Sequence, residues 1–489
     1  MTGSLNKPLP FWLKFLYGSG DFGISSVGTM RGLFLAIYLT DVVGLEPRLA
    51  SWGGLFGIIW DAINDPLVGL LTDRMHSRWG RRRPFLLWFA IPFGLSFIIL
   101  WSAPNWDSQV ALLIYVTLSF MLADTLQTLI SVPYLSLTPE LTRDYDERTK
   151  LTSFRSFFQL AGTLAISVIA PNIVNGVVIA GGTPQQGYML AGAIFGAIGA
   201  LPLILIALFI KENTPPEQVE ALPLMETLRV AWQNIPFRYA AGIFMLNWAA
   251  GDMIIVVFQH FLRYWVAQGN LIATINVPGF NINVLGLAFN FPRFNIAVVS
   301  AFFAILMSVS ILFIRFWLWF ARLRNKREAY MLGMGIWVIA QLMFFTVQPG
   351  QVNYLLVIAA LTGIGVSAAY VLPDSLFADI IEWDELRTGR RQEGIYFGIR
   401  AFIRKLSGAV VIFLALQLLG WFGYQNPPEG VIQFTQPDSA LMMIRLLVSP
   451  FGAVMLSGTI MLAWFFPLSR EKHQRIQRLL ERRSARMVK

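Results

Sequence analysis

Ser51-Trp52-Gly53-Gly54-Leu55-Phe56-Gly57-Ile58-Ile59-Trp60-Asp61-Ala62-Ile63-Asn64-Asp65-Pro66-Leu67-Val68-Gly69-Leu70 is a mostly apolar run that carries two carboxylates and an amide near its middle. A helix of about 20 residues rises about 30 Å, the thickness of a hydrocarbon core. Inside lipid the backbone must satisfy its own hydrogen bonds, so a run of this kind reads as a spanning helix. Positions i, i+3 and i+4 share a helix face, which groups Asp61, Asn64 and Asp65. Such an oxygen cluster suits a hard monovalent cation or a proton. Two carboxylates that close do not both ionise unaided, so one holds a proton or a cation binds. The plainer reading is a carboxylate pair salt-bridged to another helix, but one cationic partner would leave the second charge uncompensated.

This run is one of many. Of 489 residues, 56% are hydrophobic and 13% charged, about half the charged share of a soluble domain. Twelve spans are expected, near 20–43, 48–72, 84–103, 110–137, 152–175, 188–210, 238–266, 294–320, 329–347, 353–376, 395–421 and 441–467. No cleavable signal peptide is expected, because a polar N-terminus leads straight into the first span. Cysteine is absent, which excludes disulfides and thiolate metal sites and leaves the compartment open. The net charge of +10 is unevenly placed. Arg74, Arg78, Arg81, Arg82 and Arg83 follow the second span; Arg322, Arg324, Lys326 and Arg327 follow the eighth; Arg387, Arg390 and Arg391 follow the tenth. The tail after Ser469 is basic, while the odd-numbered connections carry little beyond Arg48 and Arg293. By the positive-inside rule, both termini and the even loops face the cytoplasm of an inner-membrane protein. The basic charge is topological and calls for no nucleic-acid partner.

The chain also repeats. Pro133 precedes Tyr145-Asp146-Glu147-Arg148-Thr149, and about 240 residues later Pro373 precedes Trp383-Asp384-Glu385-Leu386-Arg387-Thr388. The basic loop after the second span has its counterpart after the eighth. Two six-span bundles are therefore expected, 1–210 and 237–467, joined by a polar cytoplasmic linker at 211–236 and followed by a basic tail at 468–489. Paired halves place a substrate site near the bilayer midplane at their interface. The apolar connection from about Ala267 to Arg293 fits a re-entrant or a capping loop. The tail could lie on anionic membrane lipid or be solvated.

An ionisable residue inside a span is a functional hypothesis by default. The eleventh span offers Arg400, Arg404 and Lys405; a buried lysine there could balance the carboxylates of the second span in the empty carrier, although such cations also snorkel. On the fourth span Asp124, Thr128 and Ser131 share a face, where Asp124 serves either a site or an interhelical hydrogen bond. Arg155 faces a similar choice, and Asp21, Asp252 and Arg263 are further charges in or near spans. A membrane enzyme would need clustered histidines or a nucleophile with its base; His76, His260 and His473 fall in a loop, a span and the tail. A receptor or scaffold would not need carboxylates in mid-membrane.

Asp61-Ala62-Ile63-Asn64-Asp65-Pro66, with Asp73-Arg74 and Arg78-Trp79-Gly80-Arg81-Arg82-Arg83-Pro84 after it, closely resembles the glycoside–pentoside–hexuronide:cation symporters, the melibiose-carrier group of the major facilitators. Tyr17-Gly18-Ser19-Gly20-Asp21-Phe22-Gly23, Thr40-Asp41-Val42-Val43-Gly44-Leu45, Val132-Pro133-Tyr134 and Ala378-Asp379-Ile380-Ile381 agree, so the likeness runs from about Phe15 to Tyr424. The arginine-rich run also looks like that of plant sucrose–proton symporters. The resemblance implies a cation site at Asp61, Asn64, Asp65 and Thr128, coupling through Lys405, and solute contact by Arg155. It departs at the sugar site, where Ser25 and Ser131 stand for two aspartates, and Leu135 and Tyr370 for two tryptophans.

The sequence thus predicts an all-α integral membrane carrier of the major facilitator fold, with twelve transmembrane helices working by alternating access. Its expected work is Na⁺- or H⁺-coupled symport of a sugar or glycoside, with a lysolipid or other amphiphile as the alternative solute. The expected solute contacts are Asp21, Ser25, Asp124, Ser131, Arg155, Trp248 and Tyr370. A cytoplasmic gate is expected between Asp73, Arg74, Arg81, Arg82 and Arg83 on one half and Asp379, Glu382 and Asp384 on the other, although topology signals alone would also account for these charges. No cofactor and no metal beyond Na⁺ is expected, and the carrier is expected to be monomeric.

Overall fold

Long helices follow one another along the chain: α1 (Phe11–Val42), α2 (Pro47–Arg74), α3 (Arg83–Leu100), α4 (Gln109–Leu141), α5 (Tyr145–Ile179), α6 (Pro184–Phe209), α7 (Ile235–Val266), α8 (Val298–Leu323), α9 (Lys326–Thr346), α10 (Val352–Thr388), α11 (Glu393–Trp421) and α12 (Asp438–Trp464). The computed structural model describes residues 9–467 apart from 76, 78, 81, 143–144, 211–231, 271–272, 278–279, 285–286, 292–293, 389–392, 429–430 and 432, together with 472, 475–476 and 478–479. Eleven helices among the described residues are long and apolar enough to cross a membrane. Helix α2, 28 residues long, carries Asp61, Asn64 and Asp65 along its middle. The chain is an integral, multi-pass membrane protein.

Local chemistry starts these helices where the sequence indicates. Prolines open α2, α3, α6 and α7, where the missing N–H has no intrahelical partner to lose. Ser108, Thr183, Asn234 and Asn325 cap α4, α6, α7 and α9 by accepting from the first free N–H groups. Several spans outrun their expected bounds: α1 begins at Phe11, α5 runs from Tyr145 to Ile179, and α10 continues through Pro373 to Thr388. Hydropathy marks where a helix is lipid-compatible, and the backbone ladder runs on into the polar boundary. The ends of α1 and α7 and the middle of α12 widen into π-turns at Tyr38–Val42, Phe261–Val266 and Leu447–Phe451.

The connection between α7 and α8 adds short strands to a nearly all-helical fold. Strand β1 (Thr274–Val277) pairs antiparallel with β4 (Phe294–Ala297), and β2 (Phe280–Val284) with β3 (Leu287–Phe291), in one hairpin register. Apolar residues pair with apolar ones, as Ile282 with Phe289, and asparagines with asparagines, as Asn281 with Asn290. The period-two signal is hidden in the sequence because Pro278-Gly279 and Pro292-Arg293 shift its phase.

Two compact units emerge. The first holds Met1–Gln218, Leu262–Ala304 and Leu416–Ala440; the second holds Val219–Phe261, Ile305–Ala415 and Leu441–Lys489. In the first, α1 packs on α5 and α6, and α3 on α4 and α6; in the second, α7 packs on α12, and α9 on α10 and α12. The pairs α1–α6, α3–α6 and α3–α4 thus recur as α7–α12, α9–α12 and α9–α10, which is the sequence repeat in three dimensions. The ends of α7 and α11 that border the hairpin belong to the first unit, for a reason given below. Of the linker, 211–231 lies outside the described residues, as does most of the tail.

Candidate functional site

In the first unit, α2 and α4 lie side by side and bring together Asp65 and Thr128, two of the residues expected to hold a cation. Thr128 Oγ1 donates to Asp65 Oδ1 at 3.2 Å. One turn away, Trp60 Nε1 donates to Thr125 Oγ1 at 2.8 Å, fixing the rotation of the pair. Asn64 and Thr128 are buried, and the Asn64 amide nitrogen has no hydrogen-bond partner among the described residues. An unmet amide N–H donor costs about 1–3 kcal/mol and calls for an acceptor, while a cation would be met by the amide oxygen. Among the described residues no three acidic or histidine side chains form a metal cluster; two carboxylates, an amide and a hydroxyl make a set suited to a monovalent ion.

Asp124, one turn before Thr128, pairs with Arg31 of α1 at 3.3 Å. Arg31 also donates to Gln127 Oε1 at 2.6 Å and lies 5.2 Å from the Phe120 ring centre. The sequence reading left Asp124 open and overlooked Arg31, which the rule for intramembrane charges would have found. Arg155 of α5 donates from Nε to Asp21 of α1 at 2.6 Å and lies over the ring of Tyr134. Tyr134 and Tyr17 donate to each other's backbone carbonyls at 2.6 and 2.8 Å, tying α1 to α4. Ser25 donates to the Phe22 carbonyl of its own helix. Ser131 lies half-buried on α4, and Leu135, one turn further, is exposed.

The second unit has its own constellation. Arg404 Nη1 and Nη2 donate to the two oxygens of Asp252 at 2.5 and 2.9 Å. The guanidinium lies 4.1 Å from the Trp248 ring centre, and Trp248 meets Tyr370 edge to face at 5.3 Å. Arg400 lies over Phe244 at 4.9 Å, and Lys405 follows Arg404 half-buried on α11. Asp252 and Arg404, single charges in the sequence, are partners here.

At the α7–α8 hairpin end of the first unit, Asp41 is a fully buried acceptor. Arg263 Nη1 and Tyr264 OH each donate to its Oδ2 at 2.6 Å, Thr40 donates to Oδ1 at 2.8 Å, and Tyr424 OH donates to Oδ1 as well. Gln417 donates to Ser51 Oγ at 2.8 Å nearby. These bonds explain why the ends of α7 and α11 pack with the first unit. Asp41 stands in the sequence only within a motif, and its partners Arg263, Tyr264 and Tyr424 lie more than 200 residues away, beyond the reach of any local pattern.

The expected gate residues are placed individually. Arg83 donates to the Ala207 and Leu208 carbonyls at 2.7 and 3.1 Å, capping the end of α6. Arg82 is buried and donates to Thr72 at 3.3 Å. Asp384 is buried and bonds Arg387 of its own helix at 3.3 Å, and Glu382 is half-buried. The side chains of Asp73, Arg74 and Asp379, and all of Arg81, lie outside the described residues. Glu147, from the repeated motif, bonds Lys14 and Lys150, each at 2.8 Å.

Residues 16–295 and 292–470 match the family model described as MFS/sugar transport protein. An uncharacterized symporter of Synechocystis sp. is 30% identical over 570 residues, covering 99% of each chain. A putative glycoside/cation symporter of Escherichia coli is 26% identical, covering 96% of this chain and 95% of its own. A sodium-dependent lysophosphatidylcholine symporter of Gallus gallus is 25% identical, covering 96% and 88%. A solved bacterial homologue of the lysosomal transporter Spinster shares the fold, with a TM-score of 0.64 at 13% identity over 93% of this chain and 96% of its own.

Proposed function

The chain belongs to the MFS/sugar transport protein family, and from that membership we propose that it moves a sugar or glycoside across the inner membrane by symport with a cation. It is a membrane transporter of the major facilitator fold, and its relatives are named symporters. The observation that carries the coupling is the Thr128–Asp65 hydrogen bond, which joins the two parts of the inferred cation site. An amide oxygen and a hydroxyl oxygen complete a ligand set for Na⁺, whereas a proton needs only a carboxylate, so Na⁺ is the favoured ion. Lys405 serves as the counter-charge that the cation replaces, and each ligand then raises affinity for the other by the same factor. Both termini face the cytoplasm, and the charges at 73–83 and 379–384 close that side. The halves 1–210 and 237–467 are the moving bodies, linked through 211–236.

A lysolipid is the second reading. It is favoured by the likeness to the avian lysophosphatidylcholine symporter and by Ser25 and Ser131 at positions where the resemblance implies sugar-binding carboxylates. Uptake into vesicles under imposed Na⁺ or H⁺ gradients tests the proposal. Asp61→Asn and Asp65→Asn are expected to abolish concentrative uptake while downhill exchange partly survives. Accumulation against the gradient by both variants would make the carboxylates structural.

A further inference from the structure

Charged side chains at membrane depth are costly unless they pair and meet a polar path. Trp248 and Asp252 lie well inside α7, about 20 and 26 Å from its start at Ile235. The Asp252 carboxylate, its side chain 11% exposed, holds the Arg404 guanidinium by a two-pronged ion pair, while Arg404 remains 35% exposed. That pair presses the guanidinium against the Trp248 ring at 4.1 Å. Two of the five N–H donors of Arg404 go to Asp252; the others have no partner among the described residues. Beside them Tyr370, in edge contact with Trp248, is 52% exposed. Hydrocarbon tails offer nothing to a guanidinium N–H, so this exposed side belongs to a polar path and not to lipid.

We propose that Trp248, Tyr370 and Arg404 form a subsite for an uncharged sugar ring, with Asp252 as the residue that positions Arg404. The inference rests on the symport reading above and names its solute class. Aromatic faces accept the C–H face of a pyranose, and a guanidinium with free donors serves neighbouring hydroxyl oxygens. Asp252 already neutralises Arg404, so the subsite has no spare positive charge for the phosphate of a lysolipid headgroup.

The test uses the full-length chain in detergent and in proteoliposomes, with a panel of neutral disaccharides (melibiose, isoprimeverose and sucrose) and lysophosphatidylcholine as the lipid arm. One or more sugars should stabilise the unmodified chain against heat, with Na⁺ present. Arg404→Ala should weaken binding of that sugar about tenfold or more, the loss of charge-assisted hydrogen bonds. Arg404→Lys should recover only part of it. Asp252→Asn should raise the sugar KM without changing half-saturation by Na⁺, and Asp252→Glu should restore it. If Arg404→Ala fails to fold, Arg404→Lys and Tyr370→Ala decide by the same loss. Unchanged sugar affinity in these variants, with Na⁺-driven uptake still dependent on Asp61 and Asp65, overturns the subsite and leaves symport standing. Stabilisation by lysophosphatidylcholine and by no sugar overturns both.

Discussion

Glu147 sits where α5 begins, outside the bilayer stretch of its helix. Hydrogen bonds from Lys14 and Lys150 hold its carboxyl down to about 2, against an ordinary 4.5. A carboxyl lowered on folding stabilises the fold above its unfolded value, and that contribution fades as pH falls toward the folded one. Glu147→Gln is therefore expected to melt below the unmodified chain at pH 7, with the gap closing between about pH 4.5 and 2. Thermal unfolding in detergent measures it, and a gap independent of pH would locate the effect elsewhere. Asp61, Asn64 and Asp65 were legible as a group because helical spacing alone puts them on one face. Arg31 is marked by the sequence as a charge inside a span, but nothing local announces its partner Asp124, 93 residues on.

Between elements, two kinds of contact decide the packing. A Cβ on Gly23 of α1 would run into the backbone of Gly199 of α6, whereas one on Gly28 would meet nothing. Small residues at such crossings let membrane helices approach closely. Gly23→Ala is expected to cost about 1–3 kcal/mol through overpacking, while Gly28→Ala stays neutral or stabilises by up to about 1 kcal/mol. Melting temperatures of the two variants in detergent, compared side by side, check this; equal values would remove the crossing as a determinant. Polar locks act where chain ends meet. Arg263, its side chain 6% exposed, depends on Asp41 for its counter-charge. Asp41→Ala should cost about 3–5 kcal/mol by leaving Arg263 buried and uncompensated. Adding Arg263→Met should recover most of that loss, and a double-mutant cycle measures the coupling. Two independent, additive losses would mean that the pair is incidental.

For the whole molecule the expected outcome concerns charge balance along the transport cycle. If Lys405 offsets the second-span carboxylates in the empty carrier, Lys405→Ala should impair downhill solute exchange more than Lys405→Ala combined with Asp61→Asn, because the single change leaves an uncompensated charge. Exchange in proteoliposomes without an imposed Na⁺ gradient reads this, and a double variant worse than Lys405→Ala would break the inferred linkage. The sequence by itself determined the membrane class, the number of long helices, the internal repeat and the face that carries Asp61, Asn64 and Asp65. These follow from hydropathy and helical period, which act within about twenty residues. Only the tertiary structure decided that Asp21 meets Arg155, that Asp252 meets Arg404, and that Asp41 gathers Arg263, Tyr264 and Tyr424. Each of those pairs lies more than a hundred residues apart along the chain, and a charge in a helix carries no local mark of its partner. It is the low dielectric of the packed interior, not the sequence pattern, that requires each charge to find one.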